Sequence, residues 1–391
     1  MHYHRLEGKA AITTPLTMNW WQKVHNTLKL LLKQKIIRQK LETVHPATRK
    51  SLKAVLSDMK KLIWDYDCKT KYIINSYFAQ GIFLKDHPIS EYVIWTEWTR
   101  LRYVLDFTLF PELAKKVENK TNFKQMLLEH GFQAPFTVGE LCRLSDGLAV
   151  TRPDGSQLSI NEVLSEYGAV FAKPDDGLQG KNCFKILPGE EPGKYLLNGE
   201  TVTAEELRSK IKIRLIVERL IRNHEQIERF HPSSLNTMRI ITMRTPGGGI
   251  EVNRAIMRFG CGGAAIDNLR AGGVAVPMDA QGKLSRYGAM KDVSRLPLEA
   301  HPDSHISFEG FQVPYFKESC DLCVAVHKSI SPGLFNIGFD VVITPEGPLL
   351  LEANVHSGYF QRVGAPGCRP IMNTWLKPLV EEFLKGNPIP Y

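Results

Sequence analysis

Two carboxylic acids inside apolar runs restrict the fold of this chain more than any other sequence feature. Residues 336–360 read NIGFDVVITPEGPLLLEANVHSGYF, with Asp340 in the run IGFDVVI and Glu352 in the run PLLLEAN. The pattern predicts two β-strands joined by the turn Pro345-Glu346-Gly347. Because a buried carboxylate is costly without a positive partner, we expect a cation between the two strands. The alternative is a surface hairpin whose acids are solvated.

The register of this hairpin decides which side chains meet. If the loop is three residues long and its glycine is left-handed, Thr344 pairs with Pro348. Asp340 then lies opposite Glu352, and Asn354 shares a strand face with Glu352 because side chains two residues apart point the same way. Two carboxylates and an amide form an oxygen-only set that suits Mg²⁺, or Mn²⁺, and not zinc. The sequence therefore predicts a metal site at these three residues.

Length and composition allow two or three ordinary globular domains. The chain has 391 residues, 43% of them hydrophobic and 23% charged. No apolar run is long enough to cross a membrane, and the first residues lack the apolar core of a signal peptide, so we expect no transmembrane segment and a cytoplasmic location. Seven scattered cysteines favour reduced thiols over a disulfide framework.

The net charge of the chain is concentrated at one end. Residues 1–60 contain twelve lysines and arginines but three acids, so this segment carries the whole net charge of +9 and the remainder is neutral. A basic patch of this kind could contact an anionic surface such as membrane lipid, an RNA or a phosphorylated carrier. The alternative is a solvated helix face. Because the rest of the chain is neutral, a nucleic acid is not the expected partner.

The pattern changes near residue 119. Residues 17–110 have helical periodicity, and Asn119-Lys120-Thr121 opens an amphipathic helix that Gly131 ends. Short strands and turns follow, with hairpin signals such as Asn198-Gly199. We therefore predict an α+β fold with an N-terminal, mainly helical region.

A lysine before a glycine-containing loop predicts phosphate binding. Residues 169–187 read AVFAKPDDGLQGKNCFKIL, so that Lys173 ends a strand and Gly177, Gly180 and Lys181 lie in the loop that follows. Such loops cover phosphates with backbone N–H groups while a lysine supplies charge. Taken alone the motif is weak, and an ordinary structural hairpin is an equal alternative.

Further polar residues follow in a regular order. The strand RLIVERLI, residues 214–221, can offer backbone groups to adenine, and Glu225 can accept hydrogen bonds from ribose. Arginines that can bind a transferred phosphate or a substrate carboxylate come next, with surface ion pairing as the alternative. They lie within SSLNTMRIITMR, VNRAIMR and DNLRAGG. The candidate arginines are Arg239, Arg254, Arg258 and Arg270, and Asn268 in the last segment is a further candidate.

In this order the motifs resemble those of the ATP-grasp superfamily over residues 119–391, and most closely its sugar-transfer-associated branch. The DNLRAGG stretch is similar to ribosomal-protein glutamate ligases, and D-alanine–D-alanine ligases share the order of parts. The resemblance implies an ATP-grasp fold, in which two α+β lobes clasp ATP. It divides the chain into a helical region, 1–118, and an ATP-grasp domain, 119–391, with a first lobe over 119–215 and a second over 216–391.

The resemblance also implies roles for individual residues. Lys120 and Lys173 match the two lysines that bind ATP phosphates, and residues 176–181 match the mobile loop. The adenine hinge matches Glu218, Arg219, Leu220 and Ile221, with Glu225 as the ribose ligand. The hairpin matches the magnesium ligands Asp340, Glu352 and Asn354. Arg254, Arg270 and Asn268 fall where related enzymes hold phosphate, metal or substrate, and Arg239 and Arg258 are expected to bind substrate.

Two departures from the family pattern concern the substrate. Val355-His356-Ser357-Gly358 replaces the usual Ser-Pro-Gly turn, which makes His356 a candidate substrate contact. The usual N-terminal Rossmann-like domain is not evident, and a helical region stands in its place.

The implied reaction is an ADP-forming carboxylate–amine ligation with small-molecule substrates. A carboxylate is phosphorylated to an acyl phosphate, and an amine then displaces phosphate to form an amide. The acid can be a sugar acid, an amino acid, or a peptide or natural product. One alternative is an ATP-grasp kinase acting on a hydroxyl, and another is a non-catalytic basic binding protein.

One cluster is predicted to be core. Cys320, Cys323 and His327 lie on one face of a predicted helix, but no further metal ligand is near them in sequence. We therefore interpret them as packing residues.

Overall fold

The fold is described from a computed structural model of the chain. The residues that it describes are 18–44, 46, 49–65, 68–79, 81–85, 89, 110–144, 147–174, 182–245, 248–264, 267–268, 272–290 and 298–355.

Four helices form the described N-terminal part. They are α1 (Trp20–Leu32), α2 (Gln34–Glu42), α3 (Leu52–Trp64) and α4 (Thr70–Ala79). A capping box between Asn19 and Gln22 starts α1, and Ser51 caps α3 by accepting from the Ala54 N–H. Apolar side chains from all four helices pack into one core, which includes Ile37, Val55 and Tyr77. The expected helical region is therefore confirmed, while the helical pattern after Pro88 lies outside the described residues.

Two short helices lead into the remaining fold. They are α5 (Pro111–Glu118) and α6 (Lys120–Glu129). Asn119 accepts a hydrogen bond from the Asn122 N–H at 2.8 Å and so fixes Lys120 as the first residue of α6. Past the end of α6, Gly131 has a φ of 74°, which an L side chain rarely adopts. Both predicted ends of this helix are confirmed.

The first sheet has eight antiparallel strands in the order β3-β2-β1-β8-β4-β5-β6-β7. Their bounds are β1 (Thr137–Arg143), β2 (Leu148–Thr151), β3 (Gln157–Ser159), β4 (Val170–Lys173), β5 (Phe184–Pro188), β6 (Lys194–Leu197), β7 (Glu200–Thr203) and β8 (Leu215–Arg219). Two helices, α7 (Ile160–Tyr167) and α8 (Ala204–Lys210), belong to this part, and each begins with a capping box. Its core includes Val163, Ala172 and Val217.

The second sheet has five antiparallel strands in the order β11-β10-β9-β12-β13. Its elements are α9 (Glu225–Glu228), β9 (Thr237–Arg244), β10 (Ile250–Phe259), β11 (Val274–Pro277), α10 (Phe316–Ile330), β12 (Asn336–Thr344) and β13 (Gly347–Asn354). One face of this sheet packs on α5, α6 and α10, through residues such as Phe123, Val326 and Phe339. Because side chains alternate along a strand, Asp340 and Arg239 lie on the opposite face.

The β12–β13 hairpin differs from the prediction at its tip but has the predicted Asp340–Glu352 pair. The structure pairs Thr344 with Gly347, so the loop is Pro345-Glu346 and the predicted Thr344–Pro348 pair is wrong. A register shift then follows, because Val341 pairs with Leu350 while Asp340 pairs with Glu352. Leu351 is the extra residue of this β-bulge, and it restores the predicted Asp340–Glu352 pairing.

These elements confirm the expected α+β class with its helical N-terminal region. Side chains of α5 and α6 belong to the core of the second sheet. Along the chain, β8 is the last strand of the first sheet. The boundaries at residues 118 and 215 stay predictions. Within the described ranges no helix is long and apolar enough to cross a membrane. The cytoplasmic location also stays a prediction.

The cysteines of α10 and His327 are core residues, as predicted. Cys323 and His327 are buried, and the six cysteines that the structure describes form no disulfide. The two imidazole nitrogens of His327 lie 2.7 Å from Thr242 Oγ1 and 2.9 Å from the Leu334 carbonyl oxygen. Burial lowers the pKa of His327 from 6.5 to about 4. His327 is therefore neutral in the folded protein near pH 7.

This depressed pKa predicts a loss of stability in acid. Because the unfolded chain binds a proton at His327 below about pH 6.5, while the folded chain does so only near about pH 4, the stability falls as pH decreases through this window. Between about pH 7.5 and about pH 5 we expect His327 to cost about 2 kcal/mol of unfolding free energy. Urea unfolding of the wild type and of His327→Gln at both pH values measures the difference. Equal pH dependence in the two proteins would contradict the assignment.

Candidate functional site

Strand register places three charged residues in one row across the second sheet. Asp340 on β12 lies opposite Glu352 on β13 and opposite Arg239 on β9. Arg258 is two residues along β10 from Ile256, which pairs with Arg239. The site is thus built by the backbone pairing of four strands.

Two arginines hold the carboxylate of Asp340. The Arg239 guanidinium donates to both carboxylate oxygens, with Nη2 at 3.0 Å from Oδ2. Arg258 Nη2 donates to the same Oδ2 at 2.9 Å. Burial by itself would raise the pKa of Asp340, but the two guanidinium groups outweigh it and hold the pKa well below its usual range. Asp340 is therefore a fixed negative charge in the interior.

A second buried acid balances Arg258 and was missed as a site residue from sequence. Asp267 Oδ2 lies 3.4 Å from Arg258 Nε and accepts hydrogen bonds from the backbone N–H and the hydroxyl of Thr237. Burial raises the pKa of Asp267 despite this arginine. The signal in the sequence was the acid that begins DNLRAGG, but its partner was visible only after folding. Asp267 therefore pairs with Arg258 at Nε, while Asp340 accepts from its Nη2.

Glu352 and Asn354 complete the oxygen set that the sequence predicted. Asn354 Nδ2 lies 3.3 Å from Glu352 Oε1. Burial, and then the neighbouring charge of Asp340, raise the pKa of Glu352. The charge of Lys120, 3.9 Å from Glu352, does not offset this effect, and the oxygen donors of the set fit a hard divalent cation. Within the described residues no group of three His, Cys, Asp or Glu side chains is placed to hold a metal ion.

Lys120 brings a positive charge to the same hairpin. Its Nζ lies 3.9 Å from Glu352 Oε2, although the two residues are far apart in sequence. The position of Lys120 follows from the Asn119 cap, and α6 is held on the second sheet by Phe123 and Leu127.

Two further lysines flank Glu218, which lies on β8 of the first sheet. Lys173, the last residue of β4, has its Nζ 2.7 Å from Glu218 Oε2, and Lys124 Nζ lies 3.5 Å from Glu218 Oε1. Lys124 also donates to the Thr137 hydroxyl. Burial, with the nearby charge of Lys173, lowers the pKa of Lys124. Sequence reasoning missed Lys124, although it follows Lys120 by one helical turn on the same face of α6.

These lysines line one open cleft, which we call the lysine cleft. It encloses about 590 Å³, including space open to solvent. Its lining residues are Lys120, Thr121, Phe123, Lys124, Leu127, Pro135, Thr137, Glu140, Lys173, Ile216, Glu218 and Leu351. The cleft therefore joins α6 and strands β4 and β8 to Leu351, the bulge residue of the β12–β13 hairpin.

The predicted adenine hinge follows the cleft along β8. The N–H groups of Arg219 and Leu220 donate to the carbonyls of Phe136 and Ala169, at 3.0 and 3.3 Å. In this conformation both amides are therefore used within the protein. Ile221 is half-buried, and Glu225 is exposed at the start of α9. The hinge and ribose roles stay predictions.

The remaining predicted residues are placed less fully. Arg254 is buried on the sheet face that carries Arg258, on a cross-strand row with Asn354. Asn268 is described beside Asp267, and its carbonyl accepts from the Gly273 N–H at 3.1 Å. The predicted residues Gly177, Gly180, Lys181, Arg270 and His356 lie outside the described residues.

Comparison with known proteins identifies a family. A family model described as sugar-transfer associated ATP-grasp matches residues 105–373, more than half of the chain. A search of curated protein sequences finds no match.

Solved structures give matches of low identity. N5-carboxyaminoimidazole ribonucleotide synthetase from Thermotoga maritima is 12% identical with a TM-score of 0.37, and the match covers 71% of this chain and 52% of that one. This chain thus spans about half the length of that enzyme. VanG D-Ala:D-Ser ligase from Enterococcus faecalis is 14% identical with a TM-score of 0.38, covering 71% of this chain and 63% of that one. D-alanyl-alanine synthetase A from Vibrio cholerae is 12% identical with a TM-score of 0.37, covering 71% and 66%.

Removing the shared arginine should destabilise the fold. Arg258→Met leaves Asp267 and Asp340 buried near each other, which we expect to cost about 3 kcal/mol of unfolding free energy. Urea unfolding in the presence of a chelator measures this loss. Arg286→Met is the matched control, because Arg286 pairs with Glu299 on the surface and its loss should change stability little. Equal effects of the two substitutions would contradict the buried charge network.

Proposed function

The chain belongs to the sugar-transfer associated ATP-grasp family, and on that premise we propose that it is an ATP-dependent, ADP-forming enzyme that joins a carboxylate to an amine. The observation that carries the proposal is the meeting of Lys120 with Glu352, 3.9 Å apart, at the end of the lysine cleft. This contact joins a cationic cleft to a carboxylate–amide set, the combination that a metal-bound polyphosphate requires.

In this proposal the lysine cleft binds the triphosphate. Lys120 on α6 and Lys173 on β4 both line the cleft, so both can contact phosphate oxygens. Glu218 and Thr137 orient the amine of Lys124, which we add to the proposed phosphate ligands. Residues 176–181 remain the proposed covering loop, and Glu218, Arg219, Leu220, Ile221 and Glu225 the proposed adenosine contacts.

Asp340, Glu352 and Asn354 would hold Mg²⁺, or Mn²⁺, in this site. The metal would supply positive charge near the transferred phosphoryl group. Its binding would also add positive charge beside Glu352, whose pKa burial raises despite the nearby Lys120.

Two arginines near Asp340 can stabilise charge during transfer. Arg239 and Arg258 donate to Asp340 in the described conformation, so a phosphate or carboxylate arriving there would meet guanidinium groups already in place. Their role as substrate ligands remains a proposal, as do the roles of Arg254, Arg270, Asn268 and His356.

The proposed reaction has two steps. A carboxylate oxygen of the acid attacks the γ-phosphorus of ATP, the bond to the β-phosphate oxygen breaks, and ADP leaves. The nitrogen of the amine then attacks the acyl carbon, loses a proton, and phosphate departs. The family description makes a sugar acid one candidate substrate, and amino acids, peptides and natural products are others.

The proposed domain boundaries are 1–118, 119–215 and 216–391.

The metal ligands give the first test of this function. Asp340→Asn and Glu352→Gln should each lower ADP release by at least about 10²-fold, because each removes a charge that the metal requires. ADP and phosphate are measured while acid and amine pairs are screened. Glu346→Gln, at the exposed tip of the same hairpin, is the control and should retain activity. Near-normal rates in both site variants would refute the metal assignment, and a stable phosphorylated product without an amine would identify a kinase.

The lysine cleft gives a second test. Lys173→Ala removes a charge from the wall formed by β4, and we expect the affinity for ATP to fall about tenfold or more, as for the loss of a charged hydrogen bond. Calorimetry with Mg²⁺ and a non-hydrolysable ATP analogue measures this affinity. Lys328→Ala, on the exposed end of α10, should bind as the wild type does. Unchanged affinity in Lys173→Ala would place the phosphates elsewhere.

A further inference from the structure

Helix α1 packs on the protein through a face that mixes apolar and polar side chains. Leu30 on this face is buried in the helical core, and beside it Lys23 Nζ donates to the Trp64 carbonyl at 2.6 Å and Thr27 Oγ1 accepts from the Trp64 indole at 3.0 Å. Asn26 Oδ1 accepts from the Thr70 N–H at 2.9 Å. These bonds fix the rotation of α1 on helices α3 and α4.

The same rotation exposes the apolar face of α1. Trp20, Trp21 and Leu32 are 59%, 74% and 85% exposed, and Leu28 and Leu31 are more than half exposed. At about 100° per residue these positions fall within an arc of about 120°, so they form one continuous stripe. Exposing five large apolar side chains on one face is unfavourable unless a partner covers them.

Exposed basic side chains lie within and just after this stripe in the sequence. Lys29, Lys33, Lys35 and Arg38 are exposed on α1, α2 and the junction between them. Glu42 is the only acid in residues 18–44, so the surface is strongly cationic. Ile36, on α2, adds a further half-exposed apolar side chain. We call this set the α1–α2 face.

We propose that the α1–α2 face docks on the surface of an anionic lipid bilayer, with α1 lying in the plane of the interface. Tryptophan and leucine side chains enter the boundary between head groups and acyl chains, and the flanking lysines and arginine meet anionic head groups. The helix is too short to span a bilayer, and its bonds to Trp64 and Thr70 keep it on the protein.

Charge argues against a second copy of the chain as the partner. Two α1–α2 faces brought together would oppose two cationic surfaces with few acids to neutralise them. An RNA would match the charge, but phosphate contacts would not require the continuous apolar stripe. A bilayer with anionic head groups complements both properties.

The test uses the full chain and vesicles of defined composition. The wild type should bind phosphatidylcholine vesicles that contain about one third phosphatidylglycerol at least about tenfold more strongly than vesicles of pure phosphatidylcholine. Sedimentation with the vesicles measures the bound fraction. Two variants test the two properties of the face. The double variant Trp21→Ser/Leu32→Gln removes apolar side chains, and the triple variant Lys33→Glu/Lys35→Glu/Arg38→Glu reverses three charges. Each should weaken vesicle binding at least about tenfold. These side chains are exposed, and melting curves check that each variant remains folded.

Matched controls separate this face from general properties of the protein. Leu128→Gln changes an exposed leucine on α6, and Lys212→Glu/Lys283→Glu/Lys328→Glu makes the same charge change elsewhere, so both should bind as the wild type does. Wild-type binding that is absent, independent of phosphatidylglycerol or lost equally in the controls would overturn the proposal. The proposal would also be overturned if the wild type were a dimer that the double variant Trp21→Ser/Leu32→Gln dissociates. The same holds if the protein bound single-stranded RNA tightly and the double variant kept both this RNA binding and the vesicle binding of the wild type.

Discussion

The ion network around Asp340 is the constraint on which the candidate site depends. A carboxylate buried on a sheet requires compensating charge, and Arg239 and Arg258 supply it from β9 and β10. Arg258 in turn needs Asp267, whose own position depends on two hydrogen bonds from Thr237. Each group is tolerated in the interior because the next one is present. The same charges that make this part of the sheet costly to bury are the ones that a metal-bound phosphate would contact.

Helix α6 connects this network to the first sheet. Its apolar side belongs to the core of the second sheet, through Phe123 and Leu127. Its lysines point to two different partners, since Lys120 approaches Glu352 and Lys124 approaches Glu218. One helix thus aligns the two walls of the lysine cleft. A change in how α6 packs would alter the distance between the proposed phosphate and metal ligands without changing either set of residues.

The helical region follows a different physical logic from the rest of the chain. Helices α3 and α4 bury their apolar faces in a shared core, whereas α1 is attached through Leu30 and three polar side chains and leaves five large apolar side chains exposed. A helix held in this way keeps its tryptophans available without unfolding. The concentration of positive charge in this part of the chain is then explained by the partner that we propose for it.

The sequence by itself determined the two strands of the hairpin, the start of α6 at Lys120, the end of β4 at Lys173 and the core role of His327. Each of these depends on local causes: a cap, a turn, or an apolar run that makes an acid costly. Tertiary structure decided the remaining features. The bulge at Leu351 corrected a loop that was one residue shorter than predicted, and the pairing of β9 with β12 turned Arg239 towards Asp340. The partners Asp267 and Lys124, and the outward turn of α1, depend on contacts between residues distant in the chain. Local sequence preferences do not encode such contacts, because they arise only when separate elements pack together.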